Sequence, residues 1–227
     1  NRTADIAERA LEYRELGIYC YDARSDSPQM LASRLDGIIA SVGYDDIVIF
    51  QYPTWNDIRF DKMLIRRLSQ YKGLKKIFFV HDVLSLMFED NRYLMGEHID
   101  FFNQADLIIL PSQRMADTLC AEGLRVKKII IQKMWDLPVA VDQTVTPKFK
   151  KVINFAGNPD MRKFEFVKEW NYDTVELRVT AETGEWAKGK NISSLGWFNV
   201  DTFLVNALRS SGGFGLLWSD DPYWCEY

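Results

Sequence analysis

The chain has 227 residues, a formal net charge of −4 and 47% hydrophobic residues. This length allows one large domain or two small ones, and it can bury a core that needs no metal or disulfide bond. The acidic balance argues against nonspecific nucleic-acid binding, which requires a basic surface. The sequence contains no signal peptide and no apolar run of about eighteen residues, so we expect a soluble protein.

The cysteines indicate whether the protein resides in a reducing or an oxidising compartment. Cys20, Cys120 and Cys225 lie far apart and show no CxxC or Cys/His spacing. Scattered cysteines in an odd number are typical of a reduced protein, and they exclude a cysteine-rich zinc site. We therefore expect a cytoplasmic protein.

Strand and helix patterns alternate along the first part of the chain. The predicted strands are 17–21, 46–51, 76–80, 106–110 and 128–132, and the predicted helices are 29–42, 58–71, 96–103 and one that Ser112 opens. Ser112 is a natural N-cap, because its hydroxyl can accept a hydrogen bond from a backbone N–H of the first turn. Strands separated by helices indicate βαβ units and a parallel sheet.

A segment with two prolines, 136–148, shows little helical periodicity and is typical of a linker. The alternation then restarts, with strands 151–155, 174–179, 192–195 and 213–218 and helices 161–170 and 200–209. We therefore predict an α/β fold of two Rossmann-like domains, residues 1–147 and an incomplete 148–227. Because the chain begins inside a predicted helix and stops soon after a strand, we expect both terminal segments of this fold to be missing.

Polar and aromatic residues follow two strands of the first domain. Thr54, Trp55 and Asn56 come after strand 46–51, and His81 and Asp82 close strand 76–80. Ligands of open α/β sheets bind beyond the carboxyl ends of the strands. An indole suits a sugar ring or a base, and an imidazole beside a carboxylate can orient a hydroxyl.

Each of these motifs also has a purely structural interpretation. The tryptophan segment can be a hydrophobic lid on the following helix, and the histidine can cap a helix or satisfy core carbonyls. His98, on helix 96–103, is expected at the surface or only partly buried.

The second domain carries Gly157, Asn158 and Pro159 at its first strand–helix junction. A glycine allows close approach of a ligand, and amides at a helix N-terminus favour a diphosphate. Arg162, in the first turn, can pair with phosphate. Such a turn is weak evidence by itself, and neither GxGxxG nor GxxxxGK[ST] occurs.

Two other segments are predicted to be structural. Ser219-Asp220-Asp221 is interpreted as a turn instead of a metal-binding DxD motif. Residues 212–215 (GGFG) are interpreted as a tight turn into a buried strand, because the apolar GLLW follows at once.

A series of short motifs keeps its order along the whole chain. They are YRELGIY (13–19), RLDGI (34–38), VIFQYPTWN (48–56), HDVLSLMF (81–88), YLM (93–95), PSQRM (111–115), MWD (134–136), GNP (157–159), FVKEW (166–170) and GGFGLLW (212–218). Together they resemble the bacterial glucosyltransferases that extend O-linked GlcNAc on serine-rich-repeat adhesins. More loosely, the pattern is similar to that of galactofuranosyltransferases.

The resemblance implies a GT-B fold with an N-terminal acceptor domain and a C-terminal nucleotide-sugar domain. It implies transfer of glucose from UDP-glucose to GlcNAc on Ser or Thr of the adhesin, in the cytoplasm. Arg162 matches the family's basic residue near the UDP phosphates. Trp197 or Phe198 matches an aromatic tyrosine near the nucleotide, and a phenylalanine there would lose one hydrogen bond. The family's first strand is expected before Asn1, and its donor-binding lysine after Tyr227.

We therefore expect a retaining, metal-independent hexosyltransferase that uses UDP-glucose as donor and no other cofactor. The expected donor residues are Gly157, Asn158, Arg162, Trp197 and Phe198, and the expected acceptor residues are Thr54, Trp55, Asn56, His81 and Asp82. No catalytic base is assigned, because the leaving phosphate can deprotonate the acceptor.

Two alternatives stay open at this point. One is a non-catalytic GT-B-like partner subunit that binds the glycosylated adhesin, and the other is a nucleotide-sugar epimerase or synthetase. The identity of the sugar (glucose, GlcNAc or galactose) also stays open, since it depends on a few contacts. The resemblance further allows a homo-oligomer, and we expect no nucleic-acid partner.

Overall fold

A computed structural model of the protein describes residues 13–14, 16, 22–133, 144, 146–160, 162–198 and 201–218. The described residues up to 133 form one compact unit, and those from 144 onward form another. Each unit is built on a sheet of parallel strands. The predicted α/β class with two Rossmann-like units is therefore confirmed. The predicted strand 17–21 and most of the linker 136–148 lie outside the described residues.

The first unit has a four-stranded sheet whose strand order follows the chain order. The strands are β1 (Ile47–Tyr52), β2 (Lys75–Val80), β3 (Leu107–Leu110) and β4 (Ile129–Ile131). The helices are α1 (Pro28–Ile38), α2 (Ile58–Leu68), α3 (Leu84–Met87), α4 (Met95–Phe102) and α5 (Gln113–Ala121), with 3-10 turns at Ala23–Ser25 and Glu89–Leu94. All carboxyl ends of these parallel strands meet at one edge.

Side-chain caps define where the longer helices of this unit begin. Ser27 accepts from Met30 N before α1, and Asp57 accepts from Phe60 N before α2. Before α5, Ser112 Oγ accepts from Met115 N at 3.0 Å, which confirms the predicted N-cap. Each cap satisfies one of the amides that a helix leaves without an internal partner.

A cluster of aromatic rings fills the core behind this sheet. Phe101 of α4 is fully buried, and its ring centroid lies 4.8 Å from that of Phe78 on β2 and 5.7 Å from that of Phe50 on β1. Tyr52, the last residue of β1, packs at 5.6 Å from Phe101 and at 5.0 Å from Phe102. The carboxyl end of β1 is thus anchored in the core.

The strands of the second unit are β5 (Val152–Phe155), β6 (Glu176–Val179), β7 (Ile192–Ser194) and β8 (Phe214–Gly215). They form a parallel sheet in the order β7-β6-β5-β8. Its helix α6 spans Asp201–Ser211, and 3-10 helices span Arg162–Glu169 and Glu185–Ala187. Its core is small and is built around Phe155, Val167, Leu177 and Val179.

Two predicted elements of the second unit differ from those in the structure. The predicted helix 161–170 is a 3-10 helix, because Phe164, Val167 and Trp170 pack on the core at a spacing of three, the period of that helix. The predicted strand 213–218 pairs over two residues only. The tight turn before it is confirmed, but the strand is not buried, since both of its residues are exposed and Phe214 is 60% exposed. Gly212 has a φ of +71°, and a Cβ at Gly213 would lie 2.2 Å from the carbonyl oxygen of Val152.

A row of polar side chains crosses one face of the second sheet. Asn154, Arg178 and Ser193 are register partners on β5, β6 and β7. Ser211, at the end of α6, donates to Asn154 Oδ1 at 2.6 Å and accepts from Arg178 Nη1 at 3.1 Å. Glu176 accepts hydrogen bonds from Arg178 and Ser193. These bonds fix α6 on the sheet.

In the part of the chain that the structure describes, no helix is long and apolar enough to span a lipid bilayer.

Candidate functional site

The loop that follows β1 is held by hydrogen bonds at two points. Thr54 Oγ1 donates to Asp61 Oδ1 at 2.7 Å, and Asp61 belongs to the next helix, α2. Asn56 Oδ1 accepts from the backbone N of Ala23 at 2.9 Å, across 33 positions of sequence. Asp57 then caps α2. The loop therefore has a defined conformation at the carboxyl edge of the sheet.

Trp55 lies between these two bonds. Its side chain is 60% exposed, and its φ is +59°. Bulky residues rarely adopt this left-handed conformation, and it costs on the order of 1–3 kcal/mol where it persists. An exposed indole in such a backbone conformation indicates a functional role more strongly than a lid, because a lid would bury the ring.

The end of β2 lies beside the end of β1. His81 donates its backbone N–H to the carbonyl oxygen of Tyr52 at 2.9 Å, and its Nε2 lies 3.0 Å from Gln51 Oε1. Burial lowers the pKa of His81, and the neighbouring Asp82 opposes this effect. Burial therefore favours the neutral form of the imidazole. The structure thus brings the predicted residues after β1 and β2 to adjoining strand ends.

Asp61 is a buried acid that is not among the predicted site residues. Its side chain is 4% exposed. Burial, with a smaller contribution from Asp57, raises its pKa to about 7, against the effect of the Thr54 hydrogen bond. A signal was present in the sequence, since Asp61, Leu64, Ile65 and Leu68 follow the i, i+3, i+4, i+7 spacing of one helix face. A carboxylate within the apolar stripe of an amphipathic helix is informative.

The expected position of His98 is wrong. The residue is 1% exposed, and its Nδ1 lies 3.0 Å from the hydroxyl of Ser85, which is also fully buried. Burial lowers the pKa of His98 to about 4. Met95, His98, Ile99 and Phe102 share the apolar face of α4, so packing on the core decides the position of the imidazole. The buried pair has no access for a substrate.

In the second unit, Gly157 and Asn158 follow β5. A Cβ at Gly157 would lie 2.8 Å from Cζ of Phe155, so the packing of that ring is one reason for the glycine. Asn158 is exposed, and its Oδ1 accepts from Asp160 N at 3.0 Å in a local turn. Arg162 is the first residue of the following 3-10 helix, and its side chain lies outside the described part.

The other predicted donor residues follow β7. Trp197 is 70% exposed and Phe198 is half-buried, after a turn at Gly196 with a φ of +86°. Strand β6 separates β7 from β5, so the two strand ends lie roughly 10 Å apart. One nucleotide can span that distance. The motif Ser219-Asp220-Asp221 lies outside the described residues.

A cavity of about 620 Å³ opens beside β5 and β8. It is lined by the polar Asn154 and Arg209 and by apolar residues that include Phe149, Leu208 and Leu217. Its size lies within the range of small-molecule sites. Among the residues that the structure describes, no group of three or more His, Cys, Asp or Glu side chains is placed to hold a metal ion.

Comparison with known proteins gives close relatives. The chain is 43% identical to Glucosyltransferase 3 of Streptococcus parasanguinis over 226 residues, which cover 97% of this chain and 64% of that protein. It is 44% identical to Glucosyltransferase 3 of Streptococcus gordonii over 216 residues, covering 94% of this chain and 63% of the relative. The chain thus spans less than two thirds of the length of either protein.

The fold is also found in solved structures. The apo form of the lipopolysaccharide outer core galactosyltransferase WaaB is similar, with a TM-score of 0.51 and 11% identity over 82% of this chain and 52% of WaaB. At this identity the likeness concerns the fold alone, which is that of the GT-B glycosyltransferases.

Family models divide the chain much as its two sheets do. Residues 1–134 match the N-terminal domain, and residues 153–227 the C-terminal domain, of the family described as Glucosyltransferase 3-like. The family resemblance of the sequence motifs is therefore confirmed. The chain belongs to the Glucosyltransferase 3-like family.

Proposed function

We propose that the protein is a glycosyltransferase that moves glucose from UDP-glucose to GlcNAc already attached to Ser or Thr of a serine-rich-repeat adhesin. The observation that carries this proposal is the 43% identity to Glucosyltransferase 3 over 97% of the chain. The UDP donor and the adhesin acceptor come from the motif resemblance. A cytoplasmic location and self-association belong to the same proposal.

The donor belongs to the second unit in this proposal. Gly157, Asn158, Arg162, Trp197 and Phe198 lie in segments that follow the carboxyl ends of β5 and β7, where ligands of parallel sheets bind. An arginine can bind phosphate oxygens through two N–H groups. The exposed indole of Trp197 supports stacking on the base or the sugar.

The acceptor belongs to the first unit. The indole of Trp55 offers a flat apolar face to the GlcNAc ring, while Asn56, His81 and Asp82 offer polar groups nearby along the same edge. His81 is suited to accept a hydrogen bond from a sugar hydroxyl, because burial favours its neutral form.

The proposed reaction retains the configuration at the anomeric carbon and uses no metal ion. The bond from C1 of glucose to the UDP β-phosphate oxygen breaks, and a bond from C1 to the acceptor oxygen forms on the same face. The acceptor proton passes to the leaving phosphate oxygen. The protein contributes donors that stabilise charge on the leaving group, with Arg162 as the proposed cation.

Arg162 is the proposed cation for the phosphates of the donor. We expect Arg162→Ala to weaken the affinity for UDP and UDP-glucose at least about tenfold, or roughly 1.4 kcal/mol, because a charge-assisted pair with phosphate is lost. Calorimetric titration of the native full-length protein measures this change in affinity. Lys188→Ala is the matched control, since that cation is 79% exposed, belongs to the same unit and directly follows the 3-10 helix Glu185–Ala187.

The same titration decides between the alternatives. Micromolar UDP binding that only Arg162→Ala weakens supports the donor site and the transferase. A wild-type protein that binds the GlcNAc-modified peptide but neither nucleotide contradicts the transferase and favours the non-catalytic partner subunit. Interconversion of UDP-sugars without an acceptor favours the epimerase.

A further inference from the structure

The bond between Thr54 and Asp61 connects the loop after β1 to the buried face of α2. The two oxygens are 2.7 Å apart, and the carboxyl of Asp61 is 4% exposed. Its helix neighbours Phe60, Leu64 and Ile65 are all buried in the core. A carboxyl group in this position costs free energy that an apolar residue would not, so the packing of α2 by itself does not explain it.

The second tether acts on the other side of Trp55. Asn56 accepts from Ala23 N at 2.9 Å, and Arg59 of α2 donates to the carbonyl oxygens of Ala23 and Asp26 at 2.8 and 3.1 Å. Helix α2 therefore holds the loop through Asp61. Through Arg59 it also holds residues 23–26, which the loop contacts through Asn56. These hydrogen bonds fix both ends of the loop around Trp55.

Trp55 itself is not buried in the core, because the residue is 60% exposed, and its φ is +59°. A tryptophan in a loop that is free to move would leave the left-handed region, because its Cβ crowds the backbone there. The contacts at Thr54 and Asn56 are the restraints that can maintain this conformation. Holding an aromatic ring in its binding conformation before the ligand arrives reduces the entropy lost on binding.

We propose that Thr54 and Asp61 are a positioning pair, whose hydrogen bond holds the loop after β1 so that Trp55 forms a rigid platform for a sugar ring. The identity of that sugar, the GlcNAc of the acceptor, rests on the proposed function. Thr54 then acts on the sugar through Trp55 instead of contacting it, because its hydroxyl hydrogen is directed to Asp61.

The test compares Thr54→Val with Thr54→Ser in the native full-length protein. Valine keeps the shape of threonine and removes the hydroxyl, which donates to Asp61 and also accepts from Asn56 N at 3.4 Å, whereas serine keeps both hydrogen bonds. Thr118→Val is the matched control, because Thr118 donates to Arg114 O at 2.9 Å on α5 and takes no part in the site. Two quantities are measured: affinity for a GlcNAc-modified serine peptide by calorimetry, and amide hydrogen exchange of residues 54–57.

We expect Thr54→Val to weaken peptide affinity at least about tenfold and to accelerate exchange of the loop by a similar factor. Thr54→Ser and Thr118→Val should stay within about threefold of wild type in both measurements, and UDP affinity should not change. Asp61→Asn keeps an acceptor oxygen for Thr54, so it should keep the loop protected. Asp61→Leu removes the acceptor oxygen, so it tests the pair if the valine variant does not fold: faster exchange of the loop supports the proposal, and an unchanged loop in a folded Asp61→Leu overturns it.

The proposal is overturned if Thr54→Val folds, binds the peptide as wild type does and exchanges its loop no faster. A loss of protection in Asp61→Asn equal to that in a folded Thr54→Val would also contradict a role for the hydrogen bond. If wild type binds no GlcNAc peptide, the proposed acceptor is wrong, and the exchange comparison still decides whether Thr54 and Asp61 hold the loop.

Discussion

Replacing Phe101 by alanine is expected to lower the free energy of unfolding of the first unit by about 3–5 kcal/mol, the range for large aromatic side chains in cores. Phe101 is fully buried and contacts the rings of Phe50, Tyr52, Phe78 and Phe102 at centroid distances of 4.8 to 5.8 Å. Its removal leaves a cavity that rings on β1, β2 and α4 cannot all close. Since Tyr52 ends β1, the backbone amides of the loop that carries Trp55 should also exchange their hydrogens faster.

Urea denaturation of the native full-length protein, followed by hydrogen exchange of strand amides in the first unit, measures this loss. Tyr93→Ala is the control, because Tyr93 is 81% exposed and its truncation should change stability by no more than about 0.5 kcal/mol. A loss below about 1 kcal/mol in Phe101→Ala would show that the aromatic cluster is not the core of this unit.

Asp61→Asn is expected to stabilise the protein at neutral pH and above, and to change stability little near pH 4. The pKa of Asp61 is raised from 3.8 to about 7, chiefly by burial. Between these values the unfolded chain has released the proton and the folded chain still binds it, so wild-type stability falls as the pH rises. Above the folded pKa both states are ionised, and the difference stays constant. Asparagine does not titrate.

The stability difference between Asp61→Asn and wild type should therefore grow from pH 4 to pH 7 and then level off, at an upper bound of roughly 4 kcal/mol, since one pKa unit is worth about 1.4 kcal/mol. Denaturation at several pH values measures it, with the exposed Asp100→Asn as a control for the loss of one formal charge. A difference that is independent of pH contradicts a raised pKa. A stability difference that decreases as the pH rises contradicts the direction of the pKa shift.

Several features of the fold follow from local patterns. The apolar runs at 46–51 and 76–80 predict β1 and β2, because strands of a parallel sheet are typically apolar along their length. The two strands form as predicted, although they are buried only toward their carboxyl ends. Ser112 predicts the start of α5, because a hydroxyl caps the first turn from within the same segment. The family follows from the order of short motifs, since such motifs need no knowledge of contacts.

The predicted site residues stay a prediction, and their positions in the fold follow only in part from the sequence. Trp55 and His81 could be selected because residues after parallel strands meet at one edge, and the structure brings these strand ends together. Asp61 and His98 were missed or misplaced, because each is a polar residue on the apolar face of a helix, and only the packing of that face excludes water from it. The helix after Gly157 became a 3-10 helix because a small core with contacts at every third residue favours that period.

The amino-acid order alone settled the α/β class, the positions of most strands and helices, and the family, because periodicity and motifs are properties of neighbouring residues. The tertiary structure alone decided which side chain lies beneath the loop of Trp55 and what holds that loop. Asn56 meets Ala23 across 33 positions, and Thr54 meets a carboxyl that only the docking of α2 buries. Such contacts depend on how elements pack against each other, and no local pattern specifies that packing.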